Sequence, residues 1–400
     1  MKRPAGWANL PLHHLADVRT GLSKNAKREG PTVRLPYLRV ANVQDGIVDL
    51  SDVQEIEVPA SQVARFTLQK GDLLLIEGNG NPENLGRGCL WDGQISDIVH
   101  QNHVFAVRPR PNSQLLPKFL ELQVQSDYGR NYFLSCAKGS TGLSSLNSTQ
   151  LKEFPLLVPP YEEQCQITEV VGAWASAIQK TEQLIEAKER YYTHELSRLI
   201  SRGQHPRGQV GSFAHEISER NRDGNEARVL SVTNSRGFVL PEDQFERRVA
   251  SADLSNYKVV RRGQYAYNPS RINVGSIARL DDWDDGVLSP MYVVFGLDET
   301  KVDSDYFRHW LDSHEARERI KKSAQGSVRE TVSFSEFASL SIPLPDLATQ
   351  TAIARYLNTL RQEITLLSRS LTALKRQKRG LMQKLLTGKW RVPVTEVEVT

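Results

Sequence analysis

The sequence predicts an α+β chain in which two similar globular domains alternate with two long helices, the helices packing as an antiparallel coiled coil with pseudo-two-fold symmetry. Three observations carry this expectation: an internal repeat, a 4,3 spacing of apolar residues after each copy, and matched Pro-containing entries into both apolar runs. The repeat is clearest where Phe154-Pro-Leu-Leu-Val-Pro-Pro meets Leu340-Ser-Ile-Pro-Leu-Pro. Phe154 falls on Leu340, Val158 on Leu344, Pro159 on Pro345, Gln164 on Gln350 and Ile167 on Ile353. Each copy is a short strand-like run, then proline, then a polar helix entry, and proline suits a first helical turn.

The runs that follow share one register. In the first copy the a/d positions include Ile167, Val171, Trp174, Ile178 and Ile185, with Lys188 on the seam. In the second they are Ile353, Leu357, Leu360, Ile364, Leu367, Leu371 and Leu374, with Lys378 on the seam. This is the pattern of a coiled coil. At ~1.5 Å per residue each helix would be roughly 55 Å long. Seam lysines commonly cost stability and can fix register, or they can snorkel to the edge of the pair.

Weaker matches relate the globular parts. The run around Asn42 resembles that around Asn234, and Gly71 in LQKGDLLL falls on Gly263 in VRRGQYAY. QNHVFAVRP from Gln101 resembles SPMYVVFGL from Ser289, and both read as strands. Gly139 falls on Gly326. The organisation is therefore a first globular domain over 1–160, a helix over 161–203, a second domain over 204–345, a second helix over 346–390 and a tail over 391–400.

Composition sets the class. Of 400 residues, 39% are hydrophobic and 24% charged, the profile of an ordinary globular chain. No apolar run is long enough to span a membrane. The basic start at Lys2 and Arg3 is followed by no apolar stretch of a signal peptide, so a cytoplasmic location is expected. Cys89, Cys136 and Cys165 form no metal-ligand spacing and read as free thiols of a reducing compartment. The net charge of +4 permits a polyanionic partner without requiring one.

Two like domains held apart by helices could present two surfaces to two half-sites of DNA, with the helices as a ruler. Because the domains differ, the site would be asymmetric and interrupted. The same shape also suits a protein scaffold or adaptor, or an enzyme.

Two further strings narrow the choice. Pro159-Pro160-Tyr161-Glu162-Glu163-Gln164 and Leu385-Leu386-Thr387-Gly388-Lys389 resemble the spacer entry and the C-terminal segment of the specificity subunit of type I restriction-modification systems. The segments from Gly78 and from Asn268 resemble that family's recognition-domain segments. The second entry departs from the pattern, since Thr349 stands where Glu163 precedes Gln164. That leaves helix entry intact but weakens the match there. The resemblance implies two target-recognition domains and a non-catalytic DNA-binding role in DNA methylation and phage defence. It also implies partners: double-stranded DNA, two methyltransferase subunits along the helices and, in a larger complex, ATP-dependent translocase-nuclease subunits. No cofactor is expected in this chain, because S-adenosylmethionine, Mg and ATP would belong to those partners. A coiled-coil adaptor whose end domains bind proteins is the alternative.

No string supplies catalytic chemistry. Val158-Pro159-Pro160-Tyr161 is similar to an amino-methyltransferase motif, but Val158 lacks the side-chain oxygen that would accept from the target amine. Asn268-Pro269-Ser270 lacks the second proline and the aromatic. Gly78, Gly80, Gly86 and Gly88 fit neither nucleotide-binding spacing. The histidines make no zinc-protease motif, so neither a catalytic site nor a metal is expected.

DNA contact calls for Lys and Arg on phosphates, Arg at guanine, and Asn or Gln at adenine. Polar loops between expected strands nominate Asn79, Asn81, Asn84, Arg87, Ser140, Thr141 and Ser144 in the first domain. In the second domain they nominate Ser270, Arg271, Asn273, Ser327 and Arg329. The second helix also carries Lys375, Arg376, Lys378, Arg379 and Lys384, a run that suits a solvated face, a phosphate track or an acidic partner.

Overall fold

A computed structural model describes residues 4–24, 30–78, 85–137, 145–224, 226–243, 253–325 and 331–393. They form two compact units, residues 1–180 with 371–400, and residues 181–370. Two long helices, Tyr161–Leu196 and Leu347–Leu386, each contribute to both units.

The first unit is built on a four-stranded antiparallel sheet in the order Ala16–Thr20, Val104–Pro109, Leu73–Ile76, Gly88–Leu90. Leu73–Ile76 is apolar at every position because both faces of the sheet are covered. Leu73 and Leu75 pack with Phe119 and Phe133, while Leu74 and Ile76 pack on the opposite face with Trp91. The helices Pro117–Gln125 and Asp127–Ala137 cover the first face. A smaller sheet joins Gln54–Pro59, Thr32–Leu38 and Val99–His100, and Ala8–Pro11 pairs with Pro155–Val158.

The second unit repeats this plan. Its four strands are Ala214–Ile217, Val293–Leu297, Tyr265–Tyr267 and Ile277–Arg279, with the same connectivity in the same spatial order. Tyr265 and Phe295 stack in the core under the helices Ser304–Asp312 and His314–Gln325, while Ala266 and Val294 face the other way. The matched glycines Gly71 and Gly263 both take positive φ, +93° and +84°, at the turn into the third strand of this order. A side chain there would be strained in either copy. Ser126 and Ser313, both buried, separate the paired helices, and each hydroxyl accepts from a backbone N–H three residues on.

Each unit brings the start of one long helix against the end of the other, the antiparallel arrangement. In the first unit Ile167 and Val171 share a core with Leu385 and Leu386. In the second, Leu196 and Ile200 share one with Ile353 and Leu357. Beyond these buried ends Trp174, Ile178 and Ile185 are half-buried, as are Leu360, Ile364, Leu367, Leu371 and Leu374. Lys188 is held by Glu363 at 2.8 Å, and the hydroxyls of Tyr191 and Tyr356 meet at 2.9 Å. One π-helical turn, Ser197–Ser201, ends the first long helix.

Both helices are entered in one way. Gln164 and Gln350, each 1% exposed, spend the side-chain amide on three backbone groups. Gln164 accepts from Leu116 N–H at 2.9 Å and donates to the carbonyls of Gln114 and Pro159 at 3.0 Å each. Gln350 accepts from Asp303 N–H at 2.9 Å and donates to Lys301 and Pro345 at 3.2 and 2.8 Å. The departure at Thr349 has a local reason. Asp346 accepts from the N–H and hydroxyl of Thr349, a helix cap that needs no glutamate. In the first copy Glu163 is fully buried and does other work. It receives two bonds from the Arg391 guanidinium, at 2.6 and 2.7 Å, and one from the Trp7 indole at 3.1 Å.

Removing either clamp strands three backbone groups, one in a buried bond and two in part-buried ones. Gln164→Ala and Gln350→Ala should each destabilise the unit that carries them by on the order of 3 kcal/mol, read as the shift of that unit's urea transition. A pH dependence is also built in. Burial lowers the pKa of His309 to about 4, and its nitrogens sit 2.9 Å from the Tyr192 hydroxyl and the Asn358 side-chain oxygen. The unfolded chain takes up the proton from pH 6.5 downward and the folded chain does not. Stability is therefore full above about pH 6.5 and lost as pH falls toward about 4. In His309→Gln this part of the acid sensitivity should disappear from pH-dependent melting curves.

Candidate nucleic-acid interface

In the second unit the loop after strand Tyr265–Tyr267 carries three of the nominated residues. Asn268 shapes it: its side chain accepts from Ser270 N–H at 3.0 Å, and its carbonyl from Arg271 N–H at 2.9 Å. Asn268 is thus spent on its own turn. Ser270, Arg271 and Asn273 are exposed, Val274 is 60% exposed, and Gly275 closes the loop at φ +94°. Buried Ser276 donates to Val232 O at 2.7 Å, tying this loop to the hairpin Ser231–Thr233/Gly237–Val239. The hairpin tip presents Asn234, Ser235 and Arg236 to solvent.

Between this loop pair and the two covering helices lies a cleft of about 570 Å³. Asn234, Arg236, Asn273, Arg279, Arg308, Arg317 and Arg361 line it, with Asp281, Asp282 and Asp312. Arg308 pairs with Asp281 at 3.0 Å, Arg361 with Asp312 at 2.5 Å, and Arg279 with Asp281 and Asp305 at 2.6 and 2.8 Å. Arg317 is exposed and, among the described residues, has no carboxylate within 4 Å. The cleft thus offers guanidinium groups and side-chain amides on a hydrophobic floor that includes Ile272, Leu311 and Ile320. These are the donors that bind phosphates and base edges.

In the first unit Arg87 lies just beyond Gly86, whose φ is +68° and where a Cβ would strike the Phe133 ring at 2.4 Å. Its neighbour Gly88 accepts from Gly46 N–H at 2.9 Å and from the Gln125 amide at 3.2 Å. The turn around Gly46 therefore flanks Arg87. It exposes 65% of Ile47, and Asp45 takes a 2.6 Å ion pair from Arg130. Asn79, Asn81, Asn84, Ser140, Thr141, Ser144, Ser327 and Arg329 lie outside the described residues.

The geometry brings Asn273 together with residues that the sequence did not nominate. Asn234 and Arg236 had a signal, the polar Thr-Asn-Ser-Arg-Gly run of a hairpin tip. Arg317 had none, because it sits on a helix facing the cleft. The pairing of Asn42 with Asn234 does not extend to role. Asn42 is 3% exposed, caps Arg39 N–H at 2.8 Å and donates to the carbonyls of Asp49 and Asp52.

Among the described residues no group of His, Cys, Asp and Glu could hold a metal, and no helix is long and apolar enough to cross a membrane. Cys89 is buried, and burial pushes its thiol up to about 12.

Two similar α+β units joined to long helices, the second exposing amide and guanidinium groups on its loops, fit a DNA-specificity subunit. The type I restriction modification DNA specificity domain matches residues 4–189 and 289–376, well over half of the chain, and the chain belongs to that family. It is 23% identical, over 97% of its length and 95% of the relative's, to a chain of Methanocaldococcus jannaschii assigned as the MjaX type I restriction enzyme specificity subunit. It is 31% identical to the EcoKI specificity subunit of Escherichia coli K12, over 50% of this chain and 45% of that one. The fold is that of the HsdS subunit from Thermoanaerobacter tengcongensis, with a TM-score of 0.53 at 17% identity, covering 98% of this chain and 99% of that one.

The cleft divides its residues by expected effect. Arg236→Ala and Arg317→Ala should weaken duplex binding about equally on all sequences, each lowering the slope of log K against log salt by ~0.9. Asn273→Ala should instead narrow the gap between target and non-target duplexes by about tenfold or more, as for loss of one paired base contact. Fluorescence anisotropy across a salt series separates the two effects.

Proposed function

We propose that this chain reads an interrupted, asymmetric DNA site, one half-site per recognition domain, and recruits two methyltransferase subunits through its long helices. One observation carries the reading. The two units share strand order, helix-entry clamp and turn glycines, yet their described interface loops differ, with Arg87 beside the Gly46 turn in one and the Ser270–Gly275 loop with the Asn234–Arg236 tip in the other. One scaffold used twice with different loops is what two unlike half-sites require.

Residues 1–160 and 204–345 are the recognition domains on this reading, and 161–203 and 346–390 the spacers. Arg87 and the loops holding Asn79, Asn81, Asn84, Ser140, Thr141 and Ser144 would read the first half-site. Ser270, Arg271, Asn273, Ser327 and Arg329, joined by Asn234, would read the second, with Arg236 and Arg317 on its phosphates. S-adenosylmethionine is used by the methyltransferase subunits, and ATP and Mg by translocase-nuclease subunits where these join. Such a complex acts in the cytoplasm, where the DNA is.

Co-expression with the neighbouring methyltransferase, followed by genome-wide mapping of methylated adenines, tests the proposal. An interrupted asymmetric motif should appear only when this chain is present. Replacing residues 1–160 with those of another specificity subunit should change one half-site and leave the other intact. If the methyltransferase copurifies but its methylation pattern is independent of this chain, the chain is an adaptor and the reading fails.

A further inference from the structure

The two long helices differ sharply in charge. Tyr161–Leu196 carries seven glutamates against Lys180, Lys188 and Arg190. Leu347–Leu386 carries Arg355, Arg361, Arg369, Lys375, Arg376, Lys378, Arg379 and Lys384 against the single acid Glu363. Within the first unit its stretch from Leu371 onward has no acid at all. With Leu371 and Leu374 on the a/d seam, Arg376 takes an f position and Arg379 a b position, both outward and exposed. An ordinary solvated helix face mixes charges of both signs.

A second observation lies on the same outward face. Gly380 is four residues beyond Arg376, and a Cβ there would meet nothing within 4 Å. Glycine inside a helix is less favourable than alanine, and among the described residues no packing asks for it here. A bare position beside Arg376 and Arg379 admits a bulky backbone at close range.

The stripe also adjoins the first unit's candidate interface. Lys378 on the seam feels the charges of Lys118, Glu121 and Asp45. Asp45 belongs to the turn that flanks Arg87, where Gly46 bonds Gly88. Arg379 forms a loose ion pair with Asp127 at 3.5 Å, with its side chain 77% exposed. The stripe therefore lies next to the turn that flanks Arg87, with Asp45, Glu121 and Asp127 at its edge. Along the helix itself from Leu371 to Leu386 the charge is of one sign, which suits the regular negative charge of a nucleic-acid strand.

We propose that the face of the second long helix around Arg376, Arg379 and Gly380 binds the sugar–phosphate backbone of duplex DNA beside the half-site of the first unit. The inference rests on the DNA-reading function above and adds a sequence-independent contact to it. Its effect is on affinity and not on the motif.

The test uses the full-length chain and a duplex of mixed sequence, with affinity measured by anisotropy from low to moderate salt. Arg376→Gln with Arg379→Gln should lower the salt slope by ~1.8, two contacts at ~0.9 each. Arg376→Lys with Arg379→Lys should keep the wild-type slope, and the methylated motif should be unchanged in both. A wild-type slope in the Gln double variant overturns the proposal. If that variant instead loses copurifying methyltransferase while its slope stays put, the face serves an acidic protein partner, which also overturns it. If the wild-type chain itself shows no salt-dependent DNA binding, the DNA-reading function fails first and takes this inference with it.

Discussion

The side-chain amide of a buried glutamine at the entry to each long helix is the interaction on which the rest depends. An amide buried without partners is costly, but Gln164 and Gln350 each satisfy three backbone groups at once. Those groups belong to two places. One is the Pro that ends the last strand, and the other is the loop leading into the covering helices. A single side chain thus fixes the start of the long helix against the layer that covers the sheet. Both copies use the same three bonds to join sheet, covering helices and spacer. A shift of that hinge would carry the loops with it.

The paired helices add little core of their own. Their buried contacts sit at the ends, where Ile167 and Leu385, or Leu196 and Leu357, enter the cores of the globular parts. Elsewhere the a/d residues stay half-exposed; Tyr191 meets Tyr356 beside the seam, and on the seam itself Lys188, bonded to Glu363, stands where a tighter coil would have leucine. Polar groups at such positions cost stability and specify register. Register is what a spacer must hold if distance along DNA is to carry meaning.

What the sequence disclosed and what it withheld divide along one physical line. Periodicity, prolines at helix entries and turn glycines are local, and the helices and the matched Gly71 and Gly263 were legible from them. The pairing of Gln164 with Gln350 was legible as a repeat, but two of the three bonds each makes reach back some fifty residues and no local pattern announces them. The ring of contacts around Glu163 is further from view, since Arg391 lies 228 residues away and belongs to what reads as a tail. At the interface, polar loops were visible as strings, yet Arg317 reaches the cleft from a helix. Asn42 and Asn234 align and then part, one buried as a cap and one exposed at a hairpin tip. Alignment between repeats tracks backbone path, and a side chain's duty depends on which loop closes over it.

That division also explains how one scaffold can serve two recognition tasks. The sheet strands are covered on both faces, so a substitution at any strand position changes packing in one core or the other. The loop residues answer to no core and can change freely. In the second unit the cleft arginines are further restrained by acids: Arg308 by Asp281, Arg361 by Asp312, Arg279 by Asp281 and Asp305. A guanidinium already paired gains less from a phosphate, because it must first give up its carboxylate. These pairs hold the side chains in place and lower the attraction of any DNA whatever its sequence. On the proposed reading, discrimination then rests on amides such as Asn234 and Asn273, whose bonds depend on what stands opposite them. Affinity without discrimination would be useless to a chain that must find one site among many, and the acids in the cleft hold it down.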